Sequence, residues 1–325
     1  MSGPGGGFTL NTTEDRKGLA VFLAIAFGAA WPLFLAPRLM GEPDSQAFQM
    51  TAALTWSLAM WAPGAAAIAV TYWRGRRPLE SLRLNVLGPS WLPYIAAWFL
   101  PPALIFAAFA LAIVSGMETP DYTFSAILQE GGPDLPEDMS PAVWVTGGVI
   151  LAILVAPFFN MLFAMGEELG WRGYLLRQWA GRGPLWAIAA TGAVWGLWHA
   201  PAIMLGLNYP GHPVVGIPLM ILFCTLFGAV LSWLYVATRS PWAPALAHGA
   251  INASAGLPLL FLPEPDMLLS GTIASLLGCA VVGLFLLWLV GAGWLQRAWA
   301  AYLIEESGGE IQDFDAGDTP PEERE

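Results

Sequence analysis

Long apolar stretches separated by short polar connections dominate the pattern of this chain. A stretch of about 20 mostly apolar residues is long enough to cross the hydrocarbon core of a bilayer as a helix. The pattern therefore predicts an all-α integral membrane protein, a bundle of about eight transmembrane helices. The stretches are residues 18–37, 49–73, 91–115, 142–165 (with a continuation towards 180 as an alternative), 185–206, 214–238, 241–262 and 268–294.

Composition agrees with the membrane prediction and excludes other classes. Only 11% of the 325 residues are charged, against about 25% in a typical soluble domain. The chain has 13 basic residues and no basic patch outside short loops, which disfavours a nucleic-acid partner. The two cysteines, Cys224 and Cys279, both lie in apolar stretches, so a disulfide framework is excluded.

The basic residues predict the orientation in the cell membrane. When the connections are assigned alternately to the two sides, nearly all of their basic residues fall on the side of the termini, and Arg38 is the exception. The positive-inside rule then predicts a multi-pass protein with both termini cytoplasmic. The residues that carry this bias are Arg16, Lys17, Arg74, Arg76, Arg77, Arg83, Arg172, Arg177, Arg182, Arg239 and Arg297.

The predicted organisation has three parts. Residues 1–17 form a cytoplasmic N-terminal segment and residues 18–300 a membrane domain. Residues 301–325 are acidic and polar, which predicts a disordered cytoplasmic tail. The longest external connection, 116–141, carries six acidic residues and no lysine or arginine.

Two adjacent carboxylates, Glu167 and Glu168, break the apolar pattern. A charge at membrane depth is costly unless it is paired or solvated, so such residues mark functional sites. On a helix, Glu168 and Arg172 are four residues apart and form a pair on one face. Glu167 is rotated by about 100° from Glu168, and we expect it to have no partner within its own helix.

Two of the three histidines lie in apolar stretches as well. His248 and Asn252 are four residues apart and share a helix face. His199 follows Trp195 at the same spacing of four residues. If these residues converge with Glu167, then Glu167 accepts a proton from water with the help of His199, while His248 and Asn252 donate hydrogen bonds to an oxyanion. Alternatively, Glu167, His199 and His248 bind Zn²⁺.

Each feature also has a purely structural interpretation. Glu168–Arg172 can be a structural ion pair, Glu167 a cytosol-exposed helix end, and the histidines interhelical hydrogen-bonding groups. His212 lies in a turn-like loop and is left out of the site. Asn160 either faces the site or satisfies a kink near Pro157. The glycines Gly166, Gly170 and Gly173 form a pattern that allows close helix packing.

Taken in order, these motifs resemble the CPBP family of intramembrane proteases, which includes the type II CAAX prenyl endopeptidases and the bacterial Abi-type proteins. The motifs are Glu167-Glu168-x-x-x-Arg172, Trp195-x-x-x-His199 and His248-x-x-x-Asn252. The family often has phenylalanine where this chain has Trp195, and we expect that side chain to serve packing.

The resemblance implies a protease-like core at residues 142–262. It implies an endopeptidase acting on a membrane-associated protein or peptide, on CAAX-like or other substrates. Glu167 and His199 would activate water, His248 and Asn252 would stabilise the oxyanion, and Glu168 and Arg172 would shape the site. Both a zinc mechanism and a metal-free one stay open, and the oligomeric state is not predicted.

We expect cleavage near the cytoplasmic side, with the site in the inner half of the bilayer. This requires the fourth helix to run past Glu167 towards Trp179, with a kink at Pro157. Two other function classes stay open. One is a proton-coupled transporter, since membrane Glu and His residues also build proton relays. The other is a non-catalytic scaffold or immunity protein that keeps the polar residues for structure.

Overall fold

The computed structural model of the chain describes residues 13–85, 87–88, 90–125, 128 and 139–306. These residues form helices and no β-strand, which confirms the predicted all-α fold. The helices are α1 Thr13–Leu35, α2 Gln46–Ala59, α3 Ala62–Trp73, α4 Pro78–Ser81, α5 Leu92–Val114, α6 Pro141–Leu154, α7 Ala156–Glu168, α8 Arg177–Trp179, α9 Pro184–Trp198, α10 Ala200–Met204, α11 Pro213–Thr238, α12 Trp242–Ser254, α13 Leu276–Gly291 and α14 Trp294–Glu306.

The number of predicted spans is not confirmed. Among the described residues, four helical stretches are long and apolar enough to cross a membrane, or up to six if each of two bent pairs counts as one span. The chain is therefore a multi-pass membrane protein with fewer qualifying spans than the eight predicted. The four are Glu14–Leu39, Gln46–Trp73, Leu92–Val114 and Pro213–Thr238, and the bent pairs are Pro141–Leu154 with Ala156–Arg182 and Leu276–Gly291 with Trp294–Glu306.

The predicted fifth and seventh spans form short helices instead. Helix α9 has 15 residues and ends at Trp198. It is followed by α10, in whose first turn Pro201 lies, and proline has no N–H with which to continue the bonds of α9. Helix α12 has 13 residues. His199 directly follows α9, and His248 lies on α12. Both imidazoles therefore lie within the bundle.

The predicted kink near Pro157 is present. Helices α6 and α7 meet at Val155 with a bend of 47°. Asn160 Nδ2 donates to the carbonyl oxygen of Ala156 at 3.0 Å, so Asn160 satisfies the kink. Beyond Glu168 the helix continues without a break as a π-helix, Leu169–Leu176, and then into α8. The helix therefore runs past Glu167, as predicted, and Glu167 lies in its interior part and not at its end.

Glycines let α3 lie directly against the helix that carries the carboxylates. A Cβ at Gly166 would lie 2.6 Å from the carbonyl oxygen of Met60, and one at Gly170 would lie 2.3 Å from Pro63 Cβ. At Gly173 the nearest atom would be 3.6 Å away, an ordinary contact. The predicted close packing therefore involves Gly166 and Gly170, but it does not require Gly173.

The C-terminal helix continues into the segment predicted to be a disordered tail. Helix α14 reaches Glu306. Glu306 forms an ion pair with Arg177 at 3.2 Å and a second one with Arg83. Glu305 pairs with Arg83 at 3.4 Å and with Arg239. Residues 301–306 are therefore ordered by ion pairs with other parts of the bundle. The predictions for residues 1–12 and 307–325 lie outside the described residues.

We expect Gly170→Ala to lower the thermal unfolding midpoint of the protein in detergent. The added Cβ has no space beside Pro63, and overpacking a tight contact costs about 1–3 kcal/mol. Gly147→Ala is the matched control, because a Cβ at that helical position meets nothing within 4 Å. Equal midpoints for the two variants would show that α3 does not need this close approach.

Candidate active site

The predicted site residues come together from separate helices. Glu167, His199, His248 and Asn252 all line one cavity of about 380 Å³. They lie on α7, at the end of α9 and on α12. The interpretation of Glu167 as a cytosol-exposed helix end is wrong, since its side chain is only 2% exposed.

One oxygen of Glu167 is held by two indole groups. Oε2 accepts from Trp171 Nε1 at 3.2 Å and from Trp195 Nε1 at 2.6 Å. The expectation that Glu167 has no partner in its own helix is therefore wrong, because Trp171 lies one turn further along that helix. The other oxygen, Oε1, lies 4.0 Å from His248 Nε2. The carboxylate is thus fixed through one oxygen, Oε2.

Glu168 forms the predicted ion pair and also binds a histidine. Its Oε1 accepts from an Arg172 guanidinium nitrogen at 2.9 Å and from His248 Nδ1 at 2.7 Å. Glu168 and Arg172 are both 0% exposed. Because an ionised carboxylate can only accept, this bond places a proton on His248 Nδ1. The Nε2 atom of the same ring faces Glu167.

His199 is oriented by the backbone of the turn before it. Its Nδ1 lies 2.9 Å from the carbonyl oxygen of Trp195. A carbonyl oxygen can only accept, so Nδ1 carries the proton and Nε2 is the remaining ring nitrogen. The ring packs edge-on against Trp198, with the centroids 5.0 Å apart. The backbone and this contact fix the direction of the imidazole.

The Trp195 side chain contacts three polar residues of the site. Besides its bond to Glu167, its ring lies under the Arg172 guanidinium at 4.6 Å, a cation–π contact. It also meets the His248 ring at 5.2 Å. The expectation of a packing role alone is therefore wrong. A Cβ at Gly228 on α11 would lie 3.0 Å from Arg172, so this glycine leaves room for the guanidinium.

Sequence reasoning missed the two indole donors, although one of them had a visible signal. Trp171 follows Glu167 by four residues, the same spacing that identified the Glu168–Arg172 pair. An indole N–H is a donor only and needs an acceptor when it is buried. The contact from Trp195 joins residues 28 apart in sequence and comes from the packing of α9 against the π-helix Leu169–Leu176 that continues α7.

Asn252 and His212 differ sharply in position. Asn252 shares the cavity with His248, as expected from their spacing on α12. His212 directly precedes the first residue of α11, where it is exposed, and it is not among the described residues that line the cavity. Leaving His212 out of the site therefore agrees with the structure.

The proposed zinc ligands do not have the arrangement of a metal site. Within the described part of the chain, no three His, Cys, Asp or Glu side chains are grouped so that they could hold a metal ion. Bonds of about 2 Å at tetrahedral angles need donor atoms closer than the 4.0 Å between Glu167 Oε1 and His248 Nε2. The set Glu167, His199 and His248 therefore does not fit zinc here.

The rest of the cavity wall is mostly apolar and aromatic. Such a wall accommodates an apolar side chain or lipid group next to a small polar centre. The hydrophobic and aromatic members include Phe34, Trp56, Met60, Trp198, Leu207, Met220, Phe223, Phe227, Ile251 and Ile273.

We expect Arg172→Met to destabilise the protein by about 3–5 kcal/mol, because it leaves the Glu168 charge buried without its ion-pair partner. The measurement is the midpoint of thermal or denaturant unfolding in detergent. The double variant Glu168→Gln/Arg172→Met removes both charges, while the glutamine oxygen still accepts from His248. This variant should recover most of the lost stability. Equal losses in the single and double variants would contradict an ion pair at this position.

The sequences of known proteins match the part of the chain that forms this site. Residues 142–254 match the model of the type II CAAX prenyl endopeptidase Rce1-like family. The chain is also 30% identical over 127 residues to the CAAX prenyl protease 2 of Methanococcus maripaludis. That alignment spans 39% of this chain and 39% of the relative. The family match lies within the predicted core 142–262, and it confirms the resemblance stated from the motifs.

Proposed function

We propose that this chain is an intramembrane endopeptidase of the CPBP type, since residues 142–254 match the type II CAAX prenyl endopeptidase Rce1-like family. Its substrate is a membrane-associated protein or peptide, CAAX-like or other. The observation that carries the proposal is the convergence of Glu167, His199, His248 and Asn252 on one cavity. The cytoplasmic side of cleavage expected from the sequence stays a prediction.

In this proposal Glu167 is the general base. Its Oε2 is held by the two indoles, so Oε1 is the oxygen that meets the cavity. The 4.0 Å between Oε1 and His248 Nε2 is too long for a direct hydrogen bond, so in the proposal Oε1 accepts from a water molecule in the cavity. Glu167 takes a proton from this water as its oxygen attacks the carbonyl carbon of the peptide bond.

His199 orients the same water. Its Nδ1 is engaged by the Trp195 carbonyl, so its Nε2 accepts a hydrogen bond from the water in the neutral ring. With two acceptors, Glu167 and His199, the lone pair of the water is directed at the substrate carbon. After attack, the proton held by Glu167 passes to the leaving nitrogen as the C–N bond breaks. The products are a carboxylic acid, which keeps the second proton of the water, and an amine.

His248 and Asn252 stabilise the oxyanion. The Asn252 amide can donate in any state of the site. His248 already donates through Nδ1 to Glu168, so donation from Nε2 requires the imidazolium form. The adjacent Glu168 carboxylate stabilises that positive charge, much as a carboxylate does in other catalytic histidine pairs. Glu168 and Arg172 thus serve the reaction by setting the charge and direction of His248.

We expect Glu167→Gln to reduce hydrolysis of a quenched, membrane-anchored peptide by about 10²- to 10⁴-fold, the usual contribution of a general base. His199→Ala and His248→Ala should cause losses of similar size. Loss of the Asn252 donor in Asn252→Ala should cost about 10²-fold. The control is His212→Ala, because this exposed histidine lies outside the cavity lining.

Unchanged hydrolysis in all four site variants would overturn the proposal. The same Glu167→Gln variant separates the two other function classes. Loss of proton-coupled uptake into liposomes would favour a transporter. Full biological activity of the folded variant would favour a scaffold or immunity protein.

The family resemblance leaves a zinc mechanism open as the alternative to the mechanism above. The mechanism above uses only side chains of the chain, because the three candidate ligands do not fit a metal ion in this structure. We expect hydrolysis to persist after treatment with 1,10-phenanthroline, and purified active protein to contain far less zinc than protein. Loss of activity that added Zn²⁺ restores would contradict the metal-free mechanism.

A further inference from the structure

A second cavity, of about 440 Å³, lies between the start of α1 and the end of α3. None of its described lining residues also lines the cavity that holds Glu167. Five of its six lining residues are charged, whereas the wall around Glu167 is mostly apolar, so the two cavities suit different ligands. The six residues are Glu14, Asp15, Lys17, Trp73, Arg74 and Arg76.

This charged cavity lies where two membrane-spanning stretches end. One stretch begins at Glu14 and the other ends at Trp73, so the charges lie near the level where hydrocarbon gives way to water. Tyr72 and Trp73 are 76% and 60% exposed, and exposed aromatic side chains are typical of this boundary. About one to two turns further into the spans, Val21 and Ile68 expose apolar surface. A molecule with a polar head and apolar chains therefore meets matching surface here.

Arg74 has a fixed position across the start of α1. Its guanidinium donates to the carbonyl oxygen of Glu14 at 2.7 Å and pairs with Asp15 at 3.3 Å. A Cβ at Gly18 would lie 2.3 Å from the same guanidinium, so this glycine leaves the space that the arginine occupies. One wall of the cavity is thus a held guanidinium, whose planar set of N–H donors matches the geometry of phosphate.

The other two cations of the cavity are available to a ligand. Within the described ranges, no hydrogen bond or ion pair engages the side chain of Lys17 or that of Arg76. The neighbouring Arg77, in contrast, pairs with Glu80 at 3.5 Å and does not line the cavity. Three cations against two carboxylates leave the cavity with one net positive charge. A phosphodiester, which carries a single negative charge, balances it.

A buried hydroxyl next to these charges needs a partner. Tyr174, on the π-helix that continues α7, is 5% exposed, and its hydroxyl has no hydrogen-bond partner among the described residues. Its ring stacks on Phe22 of α1, with the centroids 4.6 Å apart. The charges that act on this hydroxyl belong to Arg74, Asp15 and Arg76, which all line the cavity. Buried polar groups are normally hydrogen-bonded, and an anion beside these arginines would supply the missing acceptor.

We propose that this cavity binds the headgroup of an anionic glycerophospholipid. The phosphodiester oxygens accept from Lys17, Arg74 and Arg76, as phosphate oxygens do from charged donors. Hydroxyl groups of the head donate to Glu14 and Asp15, whose carboxylates would repel an anion that has no donor of its own. The acyl chains lie on the exposed apolar surface of α1 and α3. Basic pockets between membrane helices bind anionic lipid heads in this way. This binding does not depend on the proposed protease function, so either can fail alone.

Native mass spectrometry of the full chain in detergent measures this binding. The probes are dioleoyl phosphatidylglycerol, dioleoyl phosphatidylcholine and sn-glycerol 3-phosphate. We expect phosphatidylglycerol to bind about tenfold more tightly than either of the others, because it alone combines net negative charge with acyl chains. Lys17→Gln/Arg76→Gln should weaken its binding about 25-fold, since each basic residue at a lipid surface contributes about fivefold. Arg77→Gln, the matched control outside the cavity, should leave the affinity unchanged.

Tyr174→Phe removes the hydroxyl and keeps the buried ring. It should weaken the binding of phosphatidylglycerol about fivefold, the usual effect of losing one hydrogen bond. Unfolding midpoints measured without lipid show whether each variant folds as the parent does. If the double variant does not, Arg76→Gln at its exposed position carries the same test, with an expected loss of about fivefold.

Three results would overturn the proposed lipid site. Equal affinities for phosphatidylglycerol and phosphatidylcholine would show that the cavity does not select an anionic head. Equal affinities of the cavity variants and Arg77→Gln would show that lipid is attracted by diffuse surface charge and not by this cavity. Binding of glycerol 3-phosphate as tight as that of the lipid would assign the cavity to a soluble phosphoester instead.

Discussion

The burial of two adjacent carboxylates in the membrane bundle is the constraint on which the other features depend. Burying an ionised group without partners costs several kcal/mol. Each carboxylate therefore recruits donors from other parts of the chain: Glu168 binds Arg172 and His248, and Glu167 binds the indoles of Trp171 and Trp195. Because these donors lie on three different helical segments, satisfying the two charges also fixes how those segments pack.

The irregular parts of the fold follow from this requirement. Helix α9 ends at Trp198, so His199 lies at a helix terminus rather than in the middle of a span. The bend at Val155 and the π-helix Leu169–Leu176 turn the carboxylates towards α9 and α12, and π-helical turns frequently occur at functional sites. Gly170 lets α3 cover this helix closely, and Gly228 leaves room for Arg172.

Neighbouring glutamates acquire opposite roles because a helix rotates each residue by about 100° from the last. Glu168 is fully buried behind the site, where it orients His248. Glu167 lines the cavity and is held through Oε2 by the two indoles. In the proposed mechanism, a carboxylate held through one oxygen can take a proton at the other without reorganisation. The aromatic side chains around it lower the local polarity and so strengthen these electrostatic interactions.

The amino-acid sequence by itself determined the membrane class, the Glu168–Arg172 pair, the glycine contacts and the order of motifs that identifies the family. All of these depend on composition or on spacings of a few residues, which helix geometry converts directly into contacts. The tertiary structure decided what spacing cannot reach: the bond from Trp195 to Glu167, the bond from His248 to Glu168, and the set of residues that line the cavity. It left the count of eight spans unconfirmed, since the described helices α9 and α12 are shorter than their apolar stretches. Apolar runs measure hydrophobicity, whereas a helix ends where packing and backbone hydrogen bonding allow.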